Sequence, residues 1–324
     1  MLTTNKVKGL LEGFGLGDAD LNHEREAFPE VVKGRVAHID GDFICYYSTC
    51  HEDEDWETMI RSAVTQIEKL RRMAGAESVC VHLTSKYSDK GKRGEFAIQK
   101  EYQGNRKGKP KPKNLERMRL YLAEHHADGY ESRYWTNQEA DDGMCQAAWA
   151  AVQAGKPQRA VIVSPDKDLR QCQGWHMDWN TGEMQEVSGY GHIEIDRSKS
   201  AAKLVGCGTA FFWAQMLMGD PADNIQGLPK LTAEFLSVLK DQDITKDRSC
   251  GPVAAYEVLK DCKSDEEACE LVTMAYKAYG KKHGFKYYEE EAATVPWRAA
   301  MFSEALLLWM RRTPSAEDVF DWVF

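Results

Sequence analysis

The sequence predicts an α/β protein: a layered domain built on a largely parallel sheet, with a helical subdomain after it. Three observations carry this. Short apolar stretches alternate with segments of helical period between residues 36 and 163. Carboxylates stand in groups directly after those stretches or at helix starts, and after about Gly219 the pattern turns to loops, short helices and Gly-Pro elements.

Residues 1–34 are Gly-rich and charged, without a sustained apolar period, and read as a loosely structured extension. Residues 36–39 read as a buried strand, followed by Asp40-Gly41-Asp42 and an apolar run from Phe43 to Tyr47. Apolar positions 56, 59, 60, 63, 64, 67 and 70 keep helical spacing, so an amphipathic helix is expected there. The next strand falls at 79–83. Residues 84–125 form a basic segment in which Pro110 and Pro112 preclude regular helix, entering a helix from Asn114 to about His125. A strand at 130–135, a helix opening near Glu139 and a strand at 160–163 continue the alternation. Asn180-Thr181-Gly182, between Trp179 and Met184, predicts a hairpin. Residues 297–324 read as an apolar helix with a Trp-rich end that packs back on the core. The domain reading is an extension at 1–34, the α/β domain at 35–218, a helical subdomain at 219–290 and a helical tail at 291–324.

A length of 324 residues is enough to bury a substantial core. No stretch approaches the roughly 18 to 20 consecutive apolar residues of a membrane span, and the start lacks the apolar core of a secretion signal, so a cytoplasmic protein without a membrane partner is expected. The nine cysteines include no CxxC pair and are expected to be reduced thiols; Cys45, Cys50 and His51 lack the second pair that a tetrahedral zinc set needs. The net charge of −9 hides an uneven distribution. Between Lys86 and Arg119 twelve Lys or Arg face four acids, a local +8, which leaves −17 on the rest of the chain. That polarity suits a protein that holds a polyanion with one region and gathers carboxylates in another.

The carboxylates fall in four groups: Asp40 and Asp42; Glu139, Asp141 and Asp142; Asp166 and Asp168; Asp220 and Asp223. Any one acid before a helix is more often a cap than a ligand. Seven or eight converging without a counterion would repel, and a divalent cation removes that repulsion. Oxygen ligands without His or Cys select Mg²⁺ or Mn²⁺. Two such ions about 4 Å apart can activate water and stabilise the leaving oxygen of a phosphodiester.

On these residues the chain resembles the flap endonuclease/5′→3′ exonuclease family, in particular stand-alone bacteriophage exonucleases. The matching segments are IDGD at 39–42, YQGNR at 102–106, EADD at 139–142, SPDKDL at 164–169, MGDPADNIQGLP at 218–229 and GPVAAYEVL at 251–259. The resemblance implies a three-layer nuclease domain with a helix-hairpin-helix-type subdomain. It further implies that Asp40, Glu139, Asp141, Asp142, Asp166, Asp168, Asp220 and Asp223 are direct or water-mediated ligands of two Mg²⁺ ions, with Mn²⁺ as a substitute. Asp42 matches no essential family position and reads as a turn residue.

Arg93, Tyr102 and Arg106 match the family's pattern for the segment that covers the active site; with Gln103 they are expected to meet nucleic acid, Arg by forking onto a phosphate and Tyr by stacking on a base, and Arg106 is counted among the catalytic groups. Gln103 stands where the family has Lys, and Lys100, Lys107 and Arg106 are the expected replacements for that cation. No acid directly follows the second strand, which ends Leu83-Thr84-Ser85, and Asp89 is the nearest. Lys107, Lys109, Lys111 and Lys113 are expected to bind phosphates. Gly227 and Gly251 are placed by the resemblance in a hairpin gripping duplex phosphates, with K⁺ as a candidate ion there, although residues 230–250 separate its halves.

The expected activity is metal-dependent 5′→3′ cleavage of duplex DNA, with flap or RNA-primer removal, by a monomer that serves DNA replication beside other replication proteins. The competing expectation is a catalytically weak or inactive nuclease fold that binds branched DNA.

Overall fold

The computed structural model describes residues 28–323 apart from 52, 126, 199, 200, 291 and 316. Most of the expected extension, residues 1–27, lies outside the described residues. The chain divides at Glu30/Val31, and the elements named below all belong to the unit Val31–Phe324. Its first strand begins inside the stretch read as extension.

Six strands form the central sheet: β1 (Val32–Asp40), β2 (Ala76–Thr84), β3 (Tyr130–Trp135), β4 (Ala160–Val163), β5 (Gly174–Met177) and β6 (Met184–Val187). Their order is β3-β2-β1-β4-β5-β6, parallel throughout except for the antiparallel pair β5–β6, which is the hairpin expected around Asn180-Gly182. The chain leaves β1 toward β2 on one side and returns to β4 on the other. The carboxyl ends of β1 and β4 therefore flank a topological switch point, where open α/β sheets keep their ligand crevice.

Strand alternation sorts the side chains between two helical layers. Ala37, Ile39, Val79, Val81, Leu83, Val161 and Val163 pack with helices α1 (Gly41–Thr49), α2 (Trp56–Met73) and α3 (Leu115–Glu124). Ile162 turns the other way, onto Met144, Cys145 and Ala148 of α4 (Ala140–Gln153). These are three layers. The amphipathic spacing of α2 is realised as a buried stripe of Met59, Ala63, Ile67 and Leu70, and Asp55 caps it by accepting the Thr58 N–H at 2.8 Å.

A second core surrounds α5 (Thr209–Met218), whose Phe211, Phe212 and Trp213 are fully enclosed. Around it pack α6 (Ala233–Lys240), α7 (Pro252–Leu259), α8 (Asp265–Lys282) and α9 (Trp297–Leu308). Leu204 belongs to this core too, so the helical part begins upstream of Gly219 in space. The tail is two helices rather than one. After Leu308 the chain runs extended, because the Arg311 N–H is taken by Asp142 and the N–H groups of Arg312 and Thr313 by Asp318, before α10 (Asp318–Val323).

The stretch from Lys230 to Cys250 leaves and rejoins the fold at one place. Lys230 and Leu231 pair antiparallel with Ser249 and Arg248, and the Cys250 N–H donates to the Pro229 carbonyl at 3.2 Å. The GLP and Gly251-Pro252 halves are thus neighbours despite their separation in sequence. One expectation about the cysteines is overturned: Cys145 and Cys172 are joined in a disulfide, tying α4 to the turn that follows Asp168.

Candidate metal centre and nucleic-acid interface

Asp40 is both a cap and a cleft residue. The strand ends and helix α1 starts at this position, so one carboxylate oxygen accepts the Phe43 N–H at 2.9 Å while the other accepts the Ser164 hydroxyl at 2.8 Å. Burial, then the neighbouring Asp42 carboxylate, pushes its carboxyl up to about 7. Asp166 follows β4 on the other side of the switch point, and its Oδ1 accepts the Asp168 N–H at 2.9 Å. Glu139 and Asp141 open α4, directly above.

Asp141 makes no side-chain hydrogen bond among the described residues. Burial and the charges of Asp40, Asp166 and Glu139 hold its carboxyl well above the usual range. A second group lies beside the first: one carboxylate oxygen from each of Asp168, Asp220 and Asp223 falls within 4.8 Å of the others. Asp168 is pushed up to about 7 by burial and then by Asp166. Asp220 and Asp223 stand on a tight turn closed by reciprocal backbone bonds between Asp220 and Ile225. Asn224 takes a left-handed conformation there, φ 61°.

Segment YQGNR docks onto that turn. Asn105 Nδ2 donates to the Pro221 carbonyl at 2.7 Å, Arg106 pairs with Asp223, and the Tyr102 hydroxyl donates to Glu139 at 2.8 Å. Gln103 Nε2 donates to Glu139 at 3.3 Å and Asp223 at 3.1 Å. Tyr102, expected to stack on a base, instead fixes two carboxylates, and Gln103 does the same. Gln103 also accepts from the Lys90 ammonium, which half-buries itself in the cleft wall. Within the basic segment, Lys90, and not Lys100, therefore joins Arg106 in the cleft of acids. Nothing at the sequence level singled it out from eleven other basic residues of the segment.

The resulting cleft encloses about 890 Å³. Asp40, Glu139, Asp141, Asp166, Asp168 and Asp223 line its floor, and Lys90, Arg106, Lys107, Lys109 and Lys111 line its wall. Lys113 is exposed at the end of the basic segment, outside the lining.

Four expectations are corrected by these placements. Arg93 is only 1% exposed and cannot meet nucleic acid; its guanidinium forks onto Asp142 at 2.7 and 2.8 Å and reaches the Leu307 and Trp309 carbonyls. Asp142, 0% exposed, is spent on that fork and on the Arg311 N–H, so it stands behind the cleft, with its carboxyl lowered chiefly by Arg93 against the cost of burial. The Gly227 N–H, expected to meet a phosphate, is buried and donates to Glu304 at 2.9 Å. Asp42, expected to be a turn residue, lies in the first turn of α1 and in the cleft wall, paired with Arg119 at 2.8 Å and accepting the Thr84 N–H at 3.2 Å. It brings a carboxylate to the end of the second strand, where the sequence has none. Asp89 caps a single turn instead, accepting the Gly91 N–H at 2.9 Å. Gly251 opens α7 half-exposed, with open space where a side chain would begin.

The two acidic groups offer oxygen donors, and the repulsion around Asp141 and Asp168 is the kind that a bound divalent ion relieves, so these residues fit Mg²⁺ or Mn²⁺. Another cluster, His38, Cys80 and His82, does not fit a metal. Trp135 Nε1 donates to His82 Nδ1 at 3.2 Å, so the proton of that ring sits on Nε2 and points at His38 Nδ1, 3.0 Å away. Trp135, His82 and His38 make a partly buried hydrogen-bonded chain.

The sheet order and the two flanking helical layers define a three-layer α/β fold shared with a solved bacteriophage structure. Among the solved structures similar to this chain is the T5 D15 protein co-crystallised with metal ions: TM-score 0.51, 14% identity, covering 89% of this chain and 96% of that one. The T5 5′-exonuclease with zinc bound gives a TM-score of 0.48 at 14% identity, over 85% of this chain and 89% of that one. No family model matches the chain, and no curated protein does.

Proposed function

We propose that the chain is a metal-dependent 5′ nuclease that hydrolyses phosphodiesters of DNA, acting as a 5′→3′ exonuclease on duplex and as a structure-specific flap or RNA-primer nuclease. The observation that carries this is one cleft with acids on its floor and cations on its wall, at the switch point of the sheet. A binding module has no use for a carboxylate floor facing a polyanion.

In this reading Asp40, Asp141, Asp166 and Glu139 hold one divalent ion, and Asp168, Asp220 and Asp223 a second. The ions supply activation of water and stabilisation of the leaving 3′-oxygen. Lys90 and Arg106 face the non-bridging oxygens of the phosphate, and Tyr102 and Gln103 hold Glu139 and Asp223 in register. Lys107, Lys109 and Lys111 track the strand leading to the cleft. Asp142 and Arg93 act from behind, fixing the start of α4.

The test is incubation of the purified chain with 5′-labelled duplex, nicked, flap and RNA-primed DNA in Mg²⁺, Mn²⁺ or EDTA, beside an Asp166→Ala/Asp168→Ala variant. Metal-dependent products that vanish in EDTA and in the variant are expected. Absence of product on every substrate, or a variant that cuts like the parent, overturns the reading.

A further inference from the structure

Lys167 sits between Asp166 and Asp168, and its ammonium reaches into the second acidic group. Nζ is 2.9 Å from Asp168 Oδ1 and 3.1 Å from Asp220 Oδ1. Those two carboxylates are 13% and 3% exposed. They also belong to the trio whose oxygens lie within 4.8 Å of one another. Lys167 thus stands between two of the three carboxylates that, in the nuclease reading, receive a divalent ion, while Arg106 pairs with the third, Asp223. The other donors to Asp168 and Asp220 are uncharged, so Lys167 is the cation paired with those two carboxylates among the described residues. Asp168 Oδ1 additionally accepts Gln215 Nε2 at 2.6 Å, Asp220 Oδ1 accepts the Ala222 N–H at 3.1 Å, and Asp223 Oδ1 takes Gln103 and Arg106. No cation stands equivalently at Asp141 among the described residues, and its surroundings are carboxylates.

We infer that Lys167 is an internal counterion holding the Asp168–Asp220 position, so that a divalent ion enters there only by displacing the ammonium, and this side chain lowers the affinity of that position. The physical ground is that ion and ammonium use the same oxygens, and two cations at salt-bridge distance repel strongly in a partly buried site. The position near Asp141 fills first. The position near Asp168 fills when the lysine swings out to solvent, which its one-third exposure allows. This inference rests on the nuclease reading in one respect, that divalent ions bind these carboxylates.

The experiment is Mn²⁺ binding to the full chain without DNA, followed by calorimetry and by the electron paramagnetic resonance of free Mn²⁺. The parent is expected to bind one ion more tightly than the other. In Lys167→Met the weaker site tightens on the order of tenfold or more, the tighter site stays as it was, and Lys167→Arg keeps the parent pattern. Thermal melting in EDTA reports the same competition, since Lys167→Met alone loses stability there and regains it with Mn²⁺. Should Lys167→Met not fold, the parent labelled with ¹⁵N-lysine decides: Mg²⁺ at saturation abolishes the bonded Nζ signal, and a signal that persists overturns the inference. Two ions that bind the parent and Lys167→Met alike overturn it while leaving the nuclease reading in place. No ion bound by either protein overturns both.

Discussion

Arg93 and Asp142 form a two-pronged ion pair shut away from water and held from behind by carbonyls of the tail. Removing one partner leaves the other charged and buried, which costs about 3–5 kcal/mol. Arg93→Ala is therefore expected to lose that much stability in urea unfolding while the salt dependence of DNA binding stays unchanged. A variant of normal stability with a shallower salt dependence would return Arg93 to the binding surface. The same pair shows what a sequence can say of a site. Asp40, Glu139, Asp141, Asp166 and Asp168 were legible because strand ends and helix starts are local events, and a parallel sheet brings such ends together. The fate of Asp142 was not, since it depends on an arginine 49 residues away and on a backbone that arrives after residue 300. Gly227 misled for a similar reason: its N–H belongs to Glu304, a partner 77 positions later. Lys90 was hidden among like residues, and only Gln103 marks it out.

Among the elements, the basic segment divides into two parts. Residues 102–106 are pinned to the turn carrying Asp220 and Asp223, whereas Lys107, Lys109, Lys111 and Lys113 are exposed. The prolines between them keep the stretch out of a helix, so it follows the cleft as an irregular wall. Neutralising those four lysines to Gln is expected to weaken binding alike on every DNA sequence and to reduce the slope of log K against log salt by about 3 to 4. An unaltered slope would exclude the wall from the DNA path. The alternation of strands and helices was legible at this scale almost throughout. The second core was less so: α5 is apolar on all sides, which gives no periodic signal to say that it is the hub of the helical part rather than the last helix of the α/β part.

The whole molecule carries its acids at an electrostatic disadvantage that pH exposes. Asp40 and Asp168 hold their protons up to about pH 7, far above the value of about 3.9 for an unfolded Asp. Between those values the folded chain binds protons that the unfolded chain has released, so stability falls as pH rises through this window. In EDTA the melting temperature is expected to drop steadily from pH 5 to pH 8, and saturating Mn²⁺ to remove most of the drop, because an ion that binds only the folded form stabilises it. A melting temperature in EDTA that is flat or rising over the same range contradicts this assignment of charge.

The carbonyls of Leu307 and Trp309 that seat Arg93 also set a timetable. A ribosome delivers every strand of the sheet and every acid of the cleft before it delivers them. Until then Arg93 lacks its seat, Asp142 lacks the Arg311 N–H, and the first turn of α4 has no firm footing under Glu139 and Asp141. In a nascent chain the acids of the cleft are therefore all present before the backbone that steadies them has arrived.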